Sequence, residues 1–310
     1  MASLRGKALV AYLLVCVLWG STYLAIRIGV AVLPPFLFAG GRFLVAGLLL
    51  LAGALALGER LPRHPRDWAV LAVVGLFLLA GGNTFVVWAE QFTPSGVASL
   101  FVVTVALWMA LFDALMPGGG SRLTWRLVAG LALGLVGTAV LVEADARTLT
   151  HLDLRGPVAL TLASASWAFG SVYYRRRHPE AGPYVGSAIE MIAGGAVVLV
   201  AGLALGEARD VHLTTRGLGA LAYLVVFGSV LGYTAYNYAL HHAPATIVGT
   251  YAYVNPVVAV LLGWLLLGEH VGPRTFVAMG LILGAVVWIQ LSHFAAARAA
   301  RAEAEAPAAD

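Results

Sequence analysis

Charge is what this chain has least of. Asp, Glu, Lys and Arg together make up 11% of its 310 residues, where an ordinary soluble domain carries about 25%. Cysteine is nearly absent as well: Cys16 stands alone, which excludes an internal disulfide and a cysteine metal cluster. No GxxxxGK[ST] run occurs, so the chain has no P-loop with which to drive work by ATP hydrolysis. Ser21, Ser99, Ser164 and Ser166 have no intramembrane His or Asp at helical spacing. The converging nucleophile and base that an intramembrane hydrolase or lipid-modifying transferase needs are therefore missing. These absences leave no catalytic, metal or cofactor site to name, and an enzyme acting on a lipid or small molecule stands only as the alternative. The apolar run from Ala8 is too long for a signal-peptide core and more runs follow it, so it reads as a retained helix.

Apolar residues fill the space that charge leaves. The chain is 61% hydrophobic, with a mean hydropathy of +0.89. Runs long enough to cross about 30 Å of hydrocarbon cover residues 8–29, 35–57, 68–90, 94–115, 123–142, 156–174, 183–205, 215–238, 244–266 and 273–293. They are too long and unbroken for barrel strands, so the expectation is an all-α integral membrane protein of ten spanning helices. The pI of 9.4 does not point to nucleic acid, because the basic residues gather at helix ends. With the N-terminus in the cytoplasm, twelve Lys or Arg fall in inside segments and six in outside ones, Arg175–Arg177 being the largest group. The positive-inside rule then puts both termini in the cytoplasm. Residues 294–310 read as a charged cytoplasmic tail without fixed structure.

LALGE occurs at 55–59 and again at 203–207, 148 positions later. The same offset brings Trp19 to Trp167, Arg27 to Arg175 and Arg42 to Glu190. After a two-residue slip, Ala89 meets Ala239, Pro94 meets Pro244 and Gly130 meets Gly280. A unit of five helices is duplicated, over residues 8–142 and 156–293. An odd number of helices sends the second copy through the membrane in the opposite direction, giving an inverted repeat. Such halves carry transport sites near the midplane at their interface.

WGSTYLAIR at 19–27, GRFLVAG at 41–47, the Pro-Ser-Gly-Val-Ala run at 94–98 and YVNPVVAVLLGWLLLGE at 253–269 resemble the drug/metabolite transporter superfamily, of the ten-helix type with two EamA domains. The resemblance covers about residues 10–292. It implies a bacterial inner-membrane carrier, commonly an exporter of amino acids, related metabolites or foreign compounds. One departure stands out. The second half has Asn255-Pro256 and LGE at 267–269, where the first has Val105-Ala106 and PGGG at 117–120. The two halves are therefore expected to move asymmetrically, with Pro256 bending the ninth helix as a hinge or gate.

Ionisable residues inside a membrane are costly, so Arg42 and Glu190 are candidates for gating or coupling, against a purely structural role between helices. Aromatic and amide residues supply a candidate pocket: Trp19, Asn83, Trp108, Trp167, Tyr233, Tyr236, Asn237, Tyr253 and Asn255. Tyr233, Tyr236 and Asn237 share one helix face at i, i+3 and i+4. Glu90 and Asp113 read as interfacial, Glu59, Glu207 and Glu269 as surface groups at helix ends, and His241-His242 as a poor metal pair. GLALG at 130–134 and GLILG at 280–284 read as packing surfaces, within the chain or in a dimer. The expected partners are a small-molecule substrate and the bilayer, with the chain a monomer or a homodimer.

Overall fold

A computed structural model describes residues 6–116, 125–141, 153–242, 251–285, 287–288 and 291. The charged tail, the PGGG segment and the turn after His242 lie outside them. The described residues form ten membrane helices and no strands. They are α1 (Lys7–Val30), α2 (Pro35–Ala56), α3 (Pro65–Ala89), α4 (Ser95–Val103 and Val105–Leu115), α5 (Trp125–Leu141), α6 (Arg155–Arg177), α7 (Pro183–Ala204), α8 (Thr215–Tyr223, Leu224–Leu231 and Gly232–His242), α9 (Tyr251–Leu267) and α10 (Pro273–Ala285). Large apolar side chains such as Leu48, Val200 and Leu265 are more than half exposed. Lipid, not water, suits that surface.

The contacts follow the repeat. α2 packs on its counterpart α7 and α4 on α9; α1 packs on α8 and α9 as α6 packs on α3 and α4. The fold is thus two inverted five-helix EamA-type repeats around the α2–α7 crossing. Glycine makes that crossing close. A Cβ on Gly40 would stand 2.5 Å from the Leu199 nitrogen, and one on Gly195 2.7 Å from that of Leu44. Phe43 and Met191 are wholly buried beside them. Backbones approaching this closely gain dispersion contacts that lipid cannot match, which drives helix association in membranes.

Two helices depart from simple spans at matching places. α3 turns π-helical over Leu76–Asn83 and α8 over Leu224–Leu231, 148 positions later. An i→i+5 turn leaves carbonyls open to donors from outside the helix. Ser166 Oγ of α6 donates to the Phe77 carbonyl at 2.7 Å, and Trp19 Nε1 of α1 donates to the Gly228 carbonyl at 3.0 Å. α4 is interrupted at Thr104, whose Oγ1 donates to the Phe101 carbonyl at 2.6 Å.

The α5–α10 contact uses the GxxxG stripes unequally. Gly137 meets Ile282 and Leu281, and Gly134 meets Leu107 and Ala285. Gly280 and Gly284 have no described atom within 4 Å of an added Cβ, so the second stripe faces outward rather than onto α5.

Candidate functional site

Trp19, midway along α1, gathers aromatic rings from two other helices. Its centroid lies 5.4 Å from Tyr233, 5.1 Å from Tyr236 and 4.9 Å from Tyr251. Contacts of this kind contribute about 0.5–1.5 kcal/mol each beyond burial. Gly232 lets the indole in: a Cβ there would stand 2.4 Å from Trp19 Nε1. A second aromatic group forms where α3, α4 and α6 meet. Phe169 contacts Phe77, Phe112 and Tyr173, and Trp108 stacks on Phe112 at 6.1 Å. Trp167 packs against Gly82 in the π-helical stretch of α3. The repeat relates the two groups, Trp19 of the first matching Trp167 of the second.

Arg42 and Glu190 are each the eighth residue of their helix, about 10 Å from its start. Their helices run in opposite directions, so they sit at different depths. Both are buried, at 3% and 8% exposure. They form no ion pair with each other; among the described residues Arg155–Asp153, at 2.7 Å on the surface, is the one recorded. Arg42 Nε donates to Ser229 Oγ at 3.0 Å, and its guanidinium lies 4.8 Å from the Phe43 ring centre. Its Nη1 is buried with no partner among the described residues. Tyr233 lies within electrostatic reach of both Arg42 and Glu190.

The remaining candidates divide. Asn83 ends the π-helical stretch of α3, its Oδ1 buried without a described partner. Asn255, with its amide set to match its surroundings, donates to the carbonyls of Cys16 and Tyr251 at 3.2 Å each and so ties α9 to α1. Pro256 lies inside α9. The side chains of Asn237, Tyr253, Asp113, His241 and His242 lie outside the described set. A groove of about 410 Å³ between α2, α3 and α7, lined by Leu51, Trp68, Ala72, Ile189, Ile192 and Ala193, opens on the lipid side and is apart from these groups.

The acidic residues correct the sequence reading. Glu90 is fully buried rather than interfacial, and neither carboxylate oxygen has a described partner. The Arg27 guanidinium donates to its main-chain carbonyl. Glu59, Glu207 and Glu269 are half-buried, and each accepts main-chain N–H groups at the start of a distant helix. Glu59 takes Val185 of α7 at 2.9 Å, and Glu207 takes Phe36 and Leu37 of α2 at 3.3 and 2.9 Å. Glu269 takes Ser95 and Gly96 of α4 at 2.9 and 3.3 Å, and both its oxygens accept from Ser95 Oγ at 2.9 Å. The residues preceding these helices are Pro34, Gly182 and Pro94, which have no side-chain acceptor, so no local cap competes. Gly58, Gly206 and Gly268, all with positive φ, stop each helix and turn the following Glu toward its target. The signal was in the sequence as a threefold LGE, but its targets lie 126 to 174 positions away.

A family model described as the EamA-like transporter family matches residues 6–143 and 154–291. The chain belongs to that family. It is therefore a membrane transporter of the drug/metabolite transporter superfamily. It is 41% identical over 279 residues, 90% of this chain and 89% of the other, to a protein of Escherichia coli strain K12 named "uncharacterized inner membrane transporter YedA". It is 29% identical over 292 residues to a "probable terminal-alkyne amino-acid exporter" of Streptantibioticus cattleyicolor, covering 92% and 93% of the two chains. A solved crystal structure matches with a TM-score of 0.65 at 25% identity, over 93% of this EamA-type chain and 97% of the other.

Proposed function

We propose that this transporter is a secondary carrier of the bacterial inner membrane. It exports a small zwitterionic solute, an amino acid or close relative, by alternating access of its two halves, with both termini in the cytoplasm. The carrying observation is the buried, unpartnered Nη1 of Arg42. A buried guanidinium N–H without a partner is costly unless an anionic ligand takes it, and a carboxylate fits it. Glu190, within electrostatic reach of Tyr233 as Arg42 is, offers the opposite charge for an ammonium group, and the Trp19 cluster offers apolar surface for a side chain. The amino-acid exporter related at 29% identity supports this substrate class. An enzymatic role draws no support from the relatives, which are named transporters. The reading needs no cofactor and no nucleic acid.

The test is counterflow of labelled neutral amino acids in proteoliposomes, beside matched amines that lack the carboxylate. Arg42→Gln should cut exchange of carboxylate-bearing solutes by roughly 10- to 100-fold, the value of one charge-assisted hydrogen bond. Exchange of the amines should change little. Wild-type rates for carboxylate-bearing solutes in the variant contradict the assignment.

A further inference from the structure

We propose that Glu269 is the latch of a gate between α4 and α9, while Glu59 and Glu207 hold the α2–α7 pair as a fixed axis. The proposal rests on the alternating-access reading above. The two central seams are built differently. α2 and α7 cap each other at both membrane faces, Glu59 at the face where α1 begins and Glu207 at the opposite one. Between those caps their glycines bring main chain against main chain, so a sliding motion would meet backbone at Gly40, Gly195 and Gly202. α4 and α9 share a looser seam, in which an added Cβ on Gly96 would stand 2.9 Å from Val260 Cγ2 and 3.3 Å from its Cα, against main-chain approaches of 2.5 and 2.7 Å at Gly40 and Gly195. Among the described residues one carboxylate, Glu269, ties this seam, at the face away from the start of α1. The positions of the first half that match its LGE read Pro-Gly-Gly, with no acid.

A carrier that changes access must open a seam between its helices. Of the two central seams, α4–α9 separates with fewer lost contacts than α2–α7. When it opens, water reaches Ser95 and Gly96 and replaces the carboxylate as their acceptor. A hydrogen bond exchanged for water costs little, so the latch is poised. The same exchange at α2–α7 would be useless, because backbone contact would still hold the pair.

The test uses single-cysteine reporters in a Cys16→Ala background, in nanodiscs that leave both faces open to a charged maleimide. Ser99→Cys places a thiol one turn below Ser95, where Ser99 is 1% exposed. Ala239→Cys places one at a wholly buried position of α8 near the other face. Glu269→Gln should raise the labelling rate at 99 relative to 239 by roughly 2- to 30-fold, the range that one helix cap controls. Ser95→Ala, which removes only the hydroxyl donor, should shift the ratio the same way and serves where the first variant folds poorly. Glu59→Gln and Glu207→Gln should lower thermal stability and leave the ratio alone. An unchanged ratio in both latch variants, or an equal rise at both reporters, overturns the proposal. A chain without either substitution that labels at one reporter and never at the other contradicts alternating access itself, independently of the latch.

Discussion

At Glu190 the membrane's cost for charge is plain in a single side chain. It is 8% exposed on α7, with no ion pair among the described residues. Tyr174, Tyr233 and Tyr236 lie within its electrostatic reach. A lone carboxyl among phenols can take up a proton without disturbing a salt bridge. If it carries the coupling proton, Glu190→Gln should abolish the response of transport to an imposed pH gradient while exchange at equal pH continues. An unaltered response in liposomes moves coupling to another group, such as Glu90, whose buried carboxylate oxygens have no described partner. The burial of Arg42 and Glu190 was legible in the sequence, because an ionisable residue inside an apolar run is enclosed by it. Glu59, Glu207 and Glu269 were not. A Glu after Gly at a helix end has the same composition whether it faces water or caps a helix more than a hundred positions away. Glu90 misled for a related reason: closeness to a helix end says nothing about which neighbours cover it.

Helices were the most legible elements, since length and hydropathy fix a spanning segment before any packing is known. What hydropathy does not count is hydrogen-bond register. The π-helical stretches of α3 and α8 follow the repeat offset, and each contains glycine, Gly81-Gly82 and Gly228. A doubled or central glycine in a spanning helix was the available hint, and it equally suits close packing. The α2–α7 seam shows packing in its strongest form. An added Cβ on Gly40 would lie 2.5 and 2.8 Å from the nitrogen and Cα of Leu199, main-chain atoms that cannot rotate away. Gly40→Ala should therefore destabilise the protein by about 1–3 kcal/mol, the usual cost of overpacking. Gly41→Ala, the next position along and with no described atom within 4 Å, is the control and should be near neutral. Thermal unfolding in detergent compares them, and equal midpoints for the two variants would mean that the crossing yields more readily than its geometry indicates.

Taken whole, the molecule is a symmetric frame with an asymmetric fastening. The inverted repeat accounts for its pairs: the packing of α1 on α8 and α9 is mirrored by that of α6 on α3 and α4. Symmetry of that kind lets two access states have similar energy, and the fastening then sets which is favoured. Cross-linking separates the frame from the gate. An added Cβ on Gly96 would stand 3.6 Å from that of Val260, within the 3.5–4.5 Å that a disulfide spans. On Gly202 it would stand 3.0 Å from that of Phe36, which a small local shift brings into range. With Cys16 replaced, a 96–260 disulfide should stop counterflow, and reductant should restore it. A 36–202 disulfide should leave counterflow intact, because it joins helices that already move as one body. Transport that survives the first cross-link and stops with the second would exchange the two roles, making α2–α7 the moving seam and the carboxylates at its ends the gates.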